Sequence, residues 1–369
     1  MKKSILPLVL CAALALTGCS SMLEREYVST AVHPQLPPAV ENADDLWVEN
    51  YPELVSAILS QVKAHEETGT VRLRNYRGDV EQALNQACDE VSRQDPLGAF
   101  AVETIVPKYE RIVTYYEATI SIEYRRTREQ VDAVTSVTGS GAIRAALRGA
   151  LNDFVPEIAL RINYFSEDEA SILALIRQTY LANPAAALGM PAAQVSLYPD
   201  AGLQRIVEVV FVYPDDPEVL REKRDAVTAA ARELWEPIAE QKLTGEALQS
   251  ALFDALRERS AEADGEEDGP VWSTAECLLS GRGDSQGLAL AYKLLCDLAG
   301  VECTVAEGKA DGQSRYWTVV STGNGHRIVD PASEDGLLLT DEAFQALTGA
   351  VWDAEAYPPC GESLEEGEP

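Results

Sequence analysis

The spacing of apolar residues in the first part of the chain changes repeatedly between two periods. Helical spacing covers Pro52–His65 and Asp79–Arg93, whereas alternation typical of strands covers Val71–Tyr76 and Ile112–Tyr124. A short apolar run over residues 99–106 also favours a strand. The pattern therefore predicts the order helix, strand, helix, strand, strand.

The same arrangement recurs about 90 residues later. Asn75 in Arg-Asn-Tyr corresponds to Asn163 in Arg-Ile-Asn-Tyr, and Tyr124 at the end of an alternating strand corresponds to Tyr213, offsets of 88 and 89 residues. A predicted helix over residues 142–151 precedes the second copy, as a helix precedes the first. Two copies are too few for a solenoid. We therefore predict one duplicated α+β body over residues 45–214.

Beyond residue 214 the pattern becomes helical, with predicted helices from Pro217 to about Gln241 and from Gly245 to Arg259. An acidic, glycine-containing stretch follows over residues 261–270. Its Asp-Gly-Glu-Glu-Asp-Gly segment superficially suggests a calcium loop. It lacks the alternating acidic ligands and final Glu of such a loop, so we interpret it as a solvated linker.

The segment from Ser273 to Ala332 contains a glycine-framed helix start, an apolar helix, a glycine turn, a tryptophan strand and an Asp-Pro pair. These are Gly283, Gln286-Gly287, Leu288–Leu298, Ala299-Gly300-Val301, Trp317 and Asp330-Pro331. In this series the segment resembles the core of the transglutaminase-like superfamily, which has a papain-like α+β fold. The resemblance implies a domain over residues 215–357, followed by an acidic tail over 358–369.

The catalytic residues of that family are not all present. The resemblance places Ser285 at the position of the nucleophilic Cys and Arg315 at the position of the His, and only Asp330 matches its counterpart. The family's chemistry needs a thiolate beside an imidazole, and an Arg cannot accept a proton near neutral pH. We therefore predict no catalytic residue and a degenerate triad. Because Ser285 begins a helix, its hydroxyl should accept from backbone N–H groups.

A hairpin centred on residues 322–325 would pair Ser321 with His326. This register places Arg315 and Asp330 on one face as diagonal neighbours, which predicts an ion pair between them. It places His326 about 20 Å from Arg315 along the strand, too far to serve as a base for Ser285.

The first residues have the layout of an export signal. Met1-Lys2-Lys3 is cationic, Ile5–Leu16 is apolar but too short to span a membrane, and Leu16-Thr-Gly-Cys19 resembles the lipobox of bacterial lipoproteins. The resemblance implies a signal peptide over residues 1–18, a lipid on Cys19, and a chain held at the extracytoplasmic face of a bacterial membrane. Residues 19–44, rich in proline, are interpreted as a tether. The alternative is a plain signal peptide that leaves Cys19 as an ordinary thiol.

The net charge and the cysteine spacing argue against certain ligands, namely nucleic acid and zinc. With 30 basic and 60 acidic residues the chain carries a net charge of −30, which disfavours nucleic acid. Five cysteines follow Cys19 without the paired spacing of a zinc site, and no cofactor is expected. Cys277 and Cys296 fit small buried residues better than nucleophiles. A Cys296–Cys303 disulfide stays open.

Three functions are compatible with these features. The first is a binding or scaffolding module at the cell envelope, in which Arg315, Tyr316 and Trp317 line a groove for a cell-wall peptide, a glycan or a protein. The second is an active hydrolase or acyl-transferase that uses Ser285 with an unidentified base. The third is an architectural protein in which the duplicated body is the important part.

Overall fold

The computed structural model describes residues 46–261, 273–323 and 325–361. The predicted signal peptide, Cys19, the tether and most of the acidic stretch and tail lie outside the described residues. Within the described ranges, no helix combines the length and the apolar character needed to cross a membrane. The described residues form two compact units, one of 46–143 with 160–165 and 199–206, the other of 144–159, 166–198 and the described residues from 207 to 361. Each unit combines several segments of the chain, so this division does not test the predicted boundary between the duplicated body and the following domain. The boundary at residues 214 and 215 stays a prediction.

The first copy of the repeat forms a four-stranded sheet. Its elements are β1 (Leu46–Val48), α1 (Tyr51–Ala64), β2 (Thr68–Arg74), α2 (Val80–Arg93), α3 (Pro96–Ala101), β3 (Val102–Ile112) and β4 (Tyr115–Tyr124). The strand order is β1-β2-β4-β3, with β1 parallel to β2 and the other pairs antiparallel. The buried side chains of α1 and α2 belong to the hydrophobic core.

The strand predicted over residues 99–106 is wrong at its start, because α3 occupies residues 96–101. The Asp95 carboxylate accepts the N–H groups of Leu97 and Gly98 at 2.8 and 3.1 Å, and Pro96 occupies the first helical position. This cap stabilises a helical turn that the apolar run alone did not reveal. The strand predicted over 112–124 is likewise divided, since β3 ends at Ile112 and β4 begins at Tyr115.

The second copy repeats the topology of the first. After α4 (Arg128–Asp132), it comprises β5 (Thr135–Val137), α5 (Gly139–Asp153), β6 (Glu157–Ile162), α6 (Glu169–Leu181), β7 (Ala192–Tyr198) and β8 (Arg205–Val212). The strand order is β5-β6-β8-β7, and β5 is parallel to β6. The repeat therefore contains a short parallel edge strand that the sequence pattern missed, followed by the predicted helix, strand, helix, strand, strand.

Equivalent residues make equivalent contacts in the two copies. The Tyr124 hydroxyl donates to the carbonyls of Gln61 and Glu66, whereas the Tyr213 hydroxyl donates to those of Ala150 and Val155. Every residue of the second set lies 89 positions after its counterpart. The helix caps Asp79 and Asp168 show the same offset. The duplication thus extends from strand order to individual hydrogen bonds.

The remaining chain adds helices and a three-stranded antiparallel sheet. Its elements are α7 (Pro217–Glu240), α8 (Gly245–Ala261), α9 (Thr274–Ser280), α10 (Ser285–Ala299), β9 (Cys303–Ala310), β10 (Gln313–Thr322), β11 (Gly325–Val329) and α11 (Asp341–Thr348). The sheet order is β11-β10-β9. Helix α10 is buried from Gly287 to Cys296 and packs against α7, α8, α9 and the sheet. The fold class is α+β with several sheets, as predicted.

Candidate functional site

Helix α10 begins at the centre of the candidate site. A capping residue, a terminal glycine and a buried apolar run fix its position. The Asp284 carboxylate accepts the N–H groups of Gln286 and Gly287 at 2.9 and 3.0 Å. Gly300 ends the helix in the left-handed region, with φ of 70°. The apolar run between them is buried, so the helix has little freedom to shift. Ser285 is thereby held at the first helical position.

The Ser285 hydroxyl contacts the sheet and does not cap its own helix. Its oxygen accepts a hydrogen bond from the backbone N–H of Tyr316 at 3.2 Å. The prediction that this hydroxyl accepts the N–H groups at the start of its own helix is wrong, because its donor belongs to β10. The capping role is taken by Asp284, whose carboxylate oxygen is a stronger acceptor. Ser285 therefore links the start of α10 to the strand that carries Arg315.

Arg315 and Asp330 form the ion pair that the hairpin register predicts. Ser321 pairs with His326, and Arg315 Nη2 donates to a carboxylate oxygen of Asp330. The Asp330 side chain is fully buried, whereas the Arg315 side chain is 24% exposed. The guanidinium is therefore occupied by a buried anion.

Further hydrogen bonds complete the surroundings of the Asp330 carboxylate. Arg315 Nη2 also donates to the Ser333 hydroxyl at 2.8 Å, and that hydroxyl donates to Asp330 at 3.0 Å. The other carboxylate oxygen accepts the N–H of Ala332 at 3.1 Å. A bare glycine is needed beside this turn, because a Cβ on Gly336 would lie 2.1 Å from the Asp330 carbonyl oxygen. The carboxylate is thus held by one cation and two neutral donors.

Among the residues that the structure describes, the histidine and the two thiols considered for this domain are remote from Ser285 or unsuitable as its base. His326 lies at the far end of the β10–β11 hairpin, paired with Ser321, six residues along the strand from Arg315. Cys277 and Cys296 are both fully buried. Burial raises the pKa of the Cys277 thiol to about 12, so it stays protonated at neutral pH. The hydrogen bond with Cys303 and burial together raise the pKa of Cys296. Among the described residues, no three side chains form a group that could hold a metal ion.

Trp317 does not line a groove, so the prediction is wrong for this residue. It is 1% exposed, and its ring lies 4.7 Å from Phe344 on α11 and 5.5 Å from Trp352 between ring centroids. These partners come from a segment that folds over the outer face of the sheet. Trp317 is a core residue, and removing it would test packing and not ligand binding.

Tyr316 is also largely buried, with an exposed fraction of 7%. Its hydroxyl accepts a hydrogen bond from Arg177 Nη2 at 2.6 Å, and the same guanidinium is paired with Glu307 on β9. Burial raises the pKa of Tyr316, so its hydroxyl stays neutral. Sequence reasoning missed Arg177 and Glu307, since 130 residues separate them and no local pattern connects them.

The remaining predictions concern cysteines, one of which lies outside the described residues. Cys296 and Cys303 are free thiols in this structure. Cys360, expected in the acidic tail, is 2% exposed, and its N–H donates to the carboxylate of Asp341 at 2.9 Å. Cys19, the predicted lipidation site, precedes the described residues.

Comparisons with known proteins add little to this geometry. No protein-family model matches the chain, and no curated protein matches its sequence. A solved structure described as "Crystal structure of a TGase" covers 82% of this chain and 82% of its own, at 12% sequence identity and a TM-score of 0.26. A likeness of this size does not establish a shared fold or activity.

Proposed function

We propose that this protein is a lipid-anchored lipoprotein of the bacterial cell envelope, with a transglutaminase-like domain that binds a ligand and does not catalyse. One observation carries the proposal. Arg315 stands at the strand position where that family has its His, and its guanidinium is held by the buried Asp330 carboxylate. An always-protonated side chain in a buried ion pair cannot shuttle a proton.

The assignment of this domain rests on the placement of three positions. Ser285 begins a buried helix, Arg315 lies on the adjoining strand, and Asp330 directly follows the next strand. The transglutaminase-like family carries its Cys, His and Asp on elements of the same kinds and in the same order. The likeness in arrangement supports a common ancestry of the domain, and the changed side chains support loss of its chemistry.

The Ser285 hydroxyl is a poor nucleophile in these surroundings. It needs a neighbouring base to lose its proton, yet its described partner is the Tyr316 N–H, which only donates. Binding without turnover is therefore the activity that the site favours.

Turnover assays test the absence of catalysis. The chain from residue 20 onward would be incubated with a labelled amine donor and either a glutaminyl peptide or a cell-wall peptide. We expect no product above that of the Ser285→Ala variant. Product that forms with the unaltered chain and disappears with Ser285→Ala would contradict the proposal.

The anchor has a separate test. Cells expressing the full chain would be fed an alkyne-labelled fatty acid, and the purified protein would be examined for the label and for its membrane association. We expect the label to be present and to be lost in Cys19→Ser, which should then appear in the fraction not bound to membrane. Stable membrane binding needs two or more acyl chains, and Cys19→Ser removes the residue that would carry them. The difference between the two proteins therefore measures the contribution of the lipid to membrane binding. Unlabelled protein that still sediments with membrane would contradict the anchor.

A further inference from the structure

A cavity of about 600 Å³ opens beside β9 on the side away from β10. Its walls come from α6, α10, β9 and the segment around Tyr357. The volume lies in the range of sites that hold small ligands. Polar and apolar groups share the lining, so the cavity suits a molecule with both characters.

Strand β9 forms an edge of its sheet, and its free backbone groups face this cavity. Lys309 exchanges two backbone hydrogen bonds with Val351, at 2.9 and 2.8 Å, on the side away from β10. In an antiparallel ladder every second residue directs its N–H and C=O to the same side. Glu307 and Val305 therefore direct theirs to this side as well. The Glu307 N–H donates to the Tyr357 hydroxyl at 3.1 Å.

Val305 is left with an unused donor and acceptor. Apart from the β9–β10 ladder, the hydrogen bonds of the described residues do not include its N–H or C=O. The residue is 4% exposed and lines the cavity. A backbone donor and acceptor this deeply buried are costly when unpaired, so something that pairs with them gains free energy.

The facing wall on α6 leaves room for a chain and supplies a cation. Ala174, Gln178 and Ala182 follow helical spacing and present small or adaptable side chains. Arg177, on the same face, uses Nε and Nη2 for its bonds to Glu307 and Tyr316, so Nη1 remains available. Lys293 also lines the cavity, with its ammonium paired with Asp297 at 2.9 Å, and the acidic side chains of Glu307 and Asp353 belong to the same lining.

We propose that this cavity binds a short extended peptide with small side chains and a free terminal carboxylate, which adds as a strand to the Val305 edge of β9. The inference rests on the proposed binding function and names its ligand class. Strand addition uses backbone hydrogen bonds for affinity and side-chain space for selectivity. The small residues of α6 favour small side chains on the peptide.

The orientation of the peptide follows from the residues that already occupy the edge of β9. Tyr357 occupies the Glu307 N–H, and Val351 pairs with Lys309 beyond it. A peptide paired with Val305 must therefore end near Glu307, where Arg177 lies. A guanidinium binds a carboxylate in preference to a neutral end. The carboxyl end thus lies at Arg177, and the peptide runs parallel to β9.

The test uses N-acetyl-trialanine with a free carboxylate and the same peptide as its C-terminal amide. Calorimetry would give the affinity of the chain from residue 20 onward for each, and ¹⁵N–¹H spectra would follow the Val305 amide. Ala174→Trp fills the cavity from an exposed helix position. Leu173→Trp is the matched control, since Leu173 is 42% exposed and does not line the cavity. Circular dichroism would verify that both variants fold.

We expect the acid to bind at least about tenfold more tightly than the amide and to shift the Val305 amide resonance. Ala174→Trp should weaken binding by about tenfold or more, and Leu173→Trp should leave it within about twofold. Equal affinity of both tryptophan variants, an unmoved Val305 resonance or no binding would overturn the inference. Absence of binding together with absence of turnover would leave the non-catalytic assignment standing. Binding followed by turnover that requires Ser285 would refute that assignment instead.

Discussion

Replacing Arg315 with Met removes the cation that compensates a buried carboxylate. Asp330 is fully buried, and after the substitution its described donors are the Ser333 hydroxyl and the Ala332 N–H. Breaking one partner out of a buried ion pair costs about 3–5 kcal/mol. The Arg315 side chain is 24% exposed, so water offsets part of the loss. We therefore expect Arg315→Met to lower the free energy of unfolding by about 3 kcal/mol.

Urea unfolding followed by tryptophan fluorescence measures this change, because Trp317 lies two residues along the same strand. The double variant Arg315→Met/Asp330→Asn removes both charges and should recover about 1–2 kcal/mol relative to the single variant. Lys223→Met is the control, since Lys223 and its partner Asp215 are both 45% exposed. It should change stability by less than about 1 kcal/mol.

Two results would refute this reasoning. A loss of less than about 1 kcal/mol in Arg315→Met would mean that Asp330 does not depend on the ion pair. A double variant no more stable than the single one would mean that the loss comes from packing of the Arg side chain and not from an uncompensated charge.

Three further predictions concern the helix start, the outer core and the thiols. Asp284→Ala removes the cap of α10 and should cost about 1 kcal/mol by urea unfolding, while Asp284→Asn should cost less. Trp317→Ala should cost about 3–5 kcal/mol because it empties a buried site, and a loss below about 1 kcal/mol would place the ring in solvent. The raised pKa of Cys277 keeps its thiol neutral below about pH 12. Ellman's reagent should therefore label it at pH 8 only after denaturant is added, and prompt labelling of the folded chain would contradict its burial.

Features encoded within one segment were predictable from the sequence. Helix α10 was predicted from its apolar run and its terminal Gly300, which are local signals, whereas the cap assigned to Ser285 is provided by Asp284. The β10–β11 register followed from a short glycine-containing turn, and the Arg315–Asp330 pair followed from that register. The repeat was detectable because both copies kept the same alternation and the same tyrosine.

Features that depend on distant segments were not predictable. Strands β1 and β5 have three residues each, too few for any periodicity to appear. Trp317 was predicted to line a groove between helix and sheet, because the sequence does not show which segment covers each face of its strand. In the structure α11 and the chain around Trp352 cover that face. The contact of Arg177 with Glu307 joins residues 130 positions apart, and only the tertiary fold brings them together.

The central claim is that no base among the described residues activates the Ser285 hydroxyl, and a fluorophosphonate probe tests this most directly. Activated serine hydroxyls react covalently with such probes, whereas unactivated ones do not. Intact-mass measurement of the chain after incubation at neutral pH should show no adduct, in the unaltered protein and in Ser285→Ala alike. One adduct per chain, mapped to Ser285 and absent from Ser285→Ala, would contradict the account.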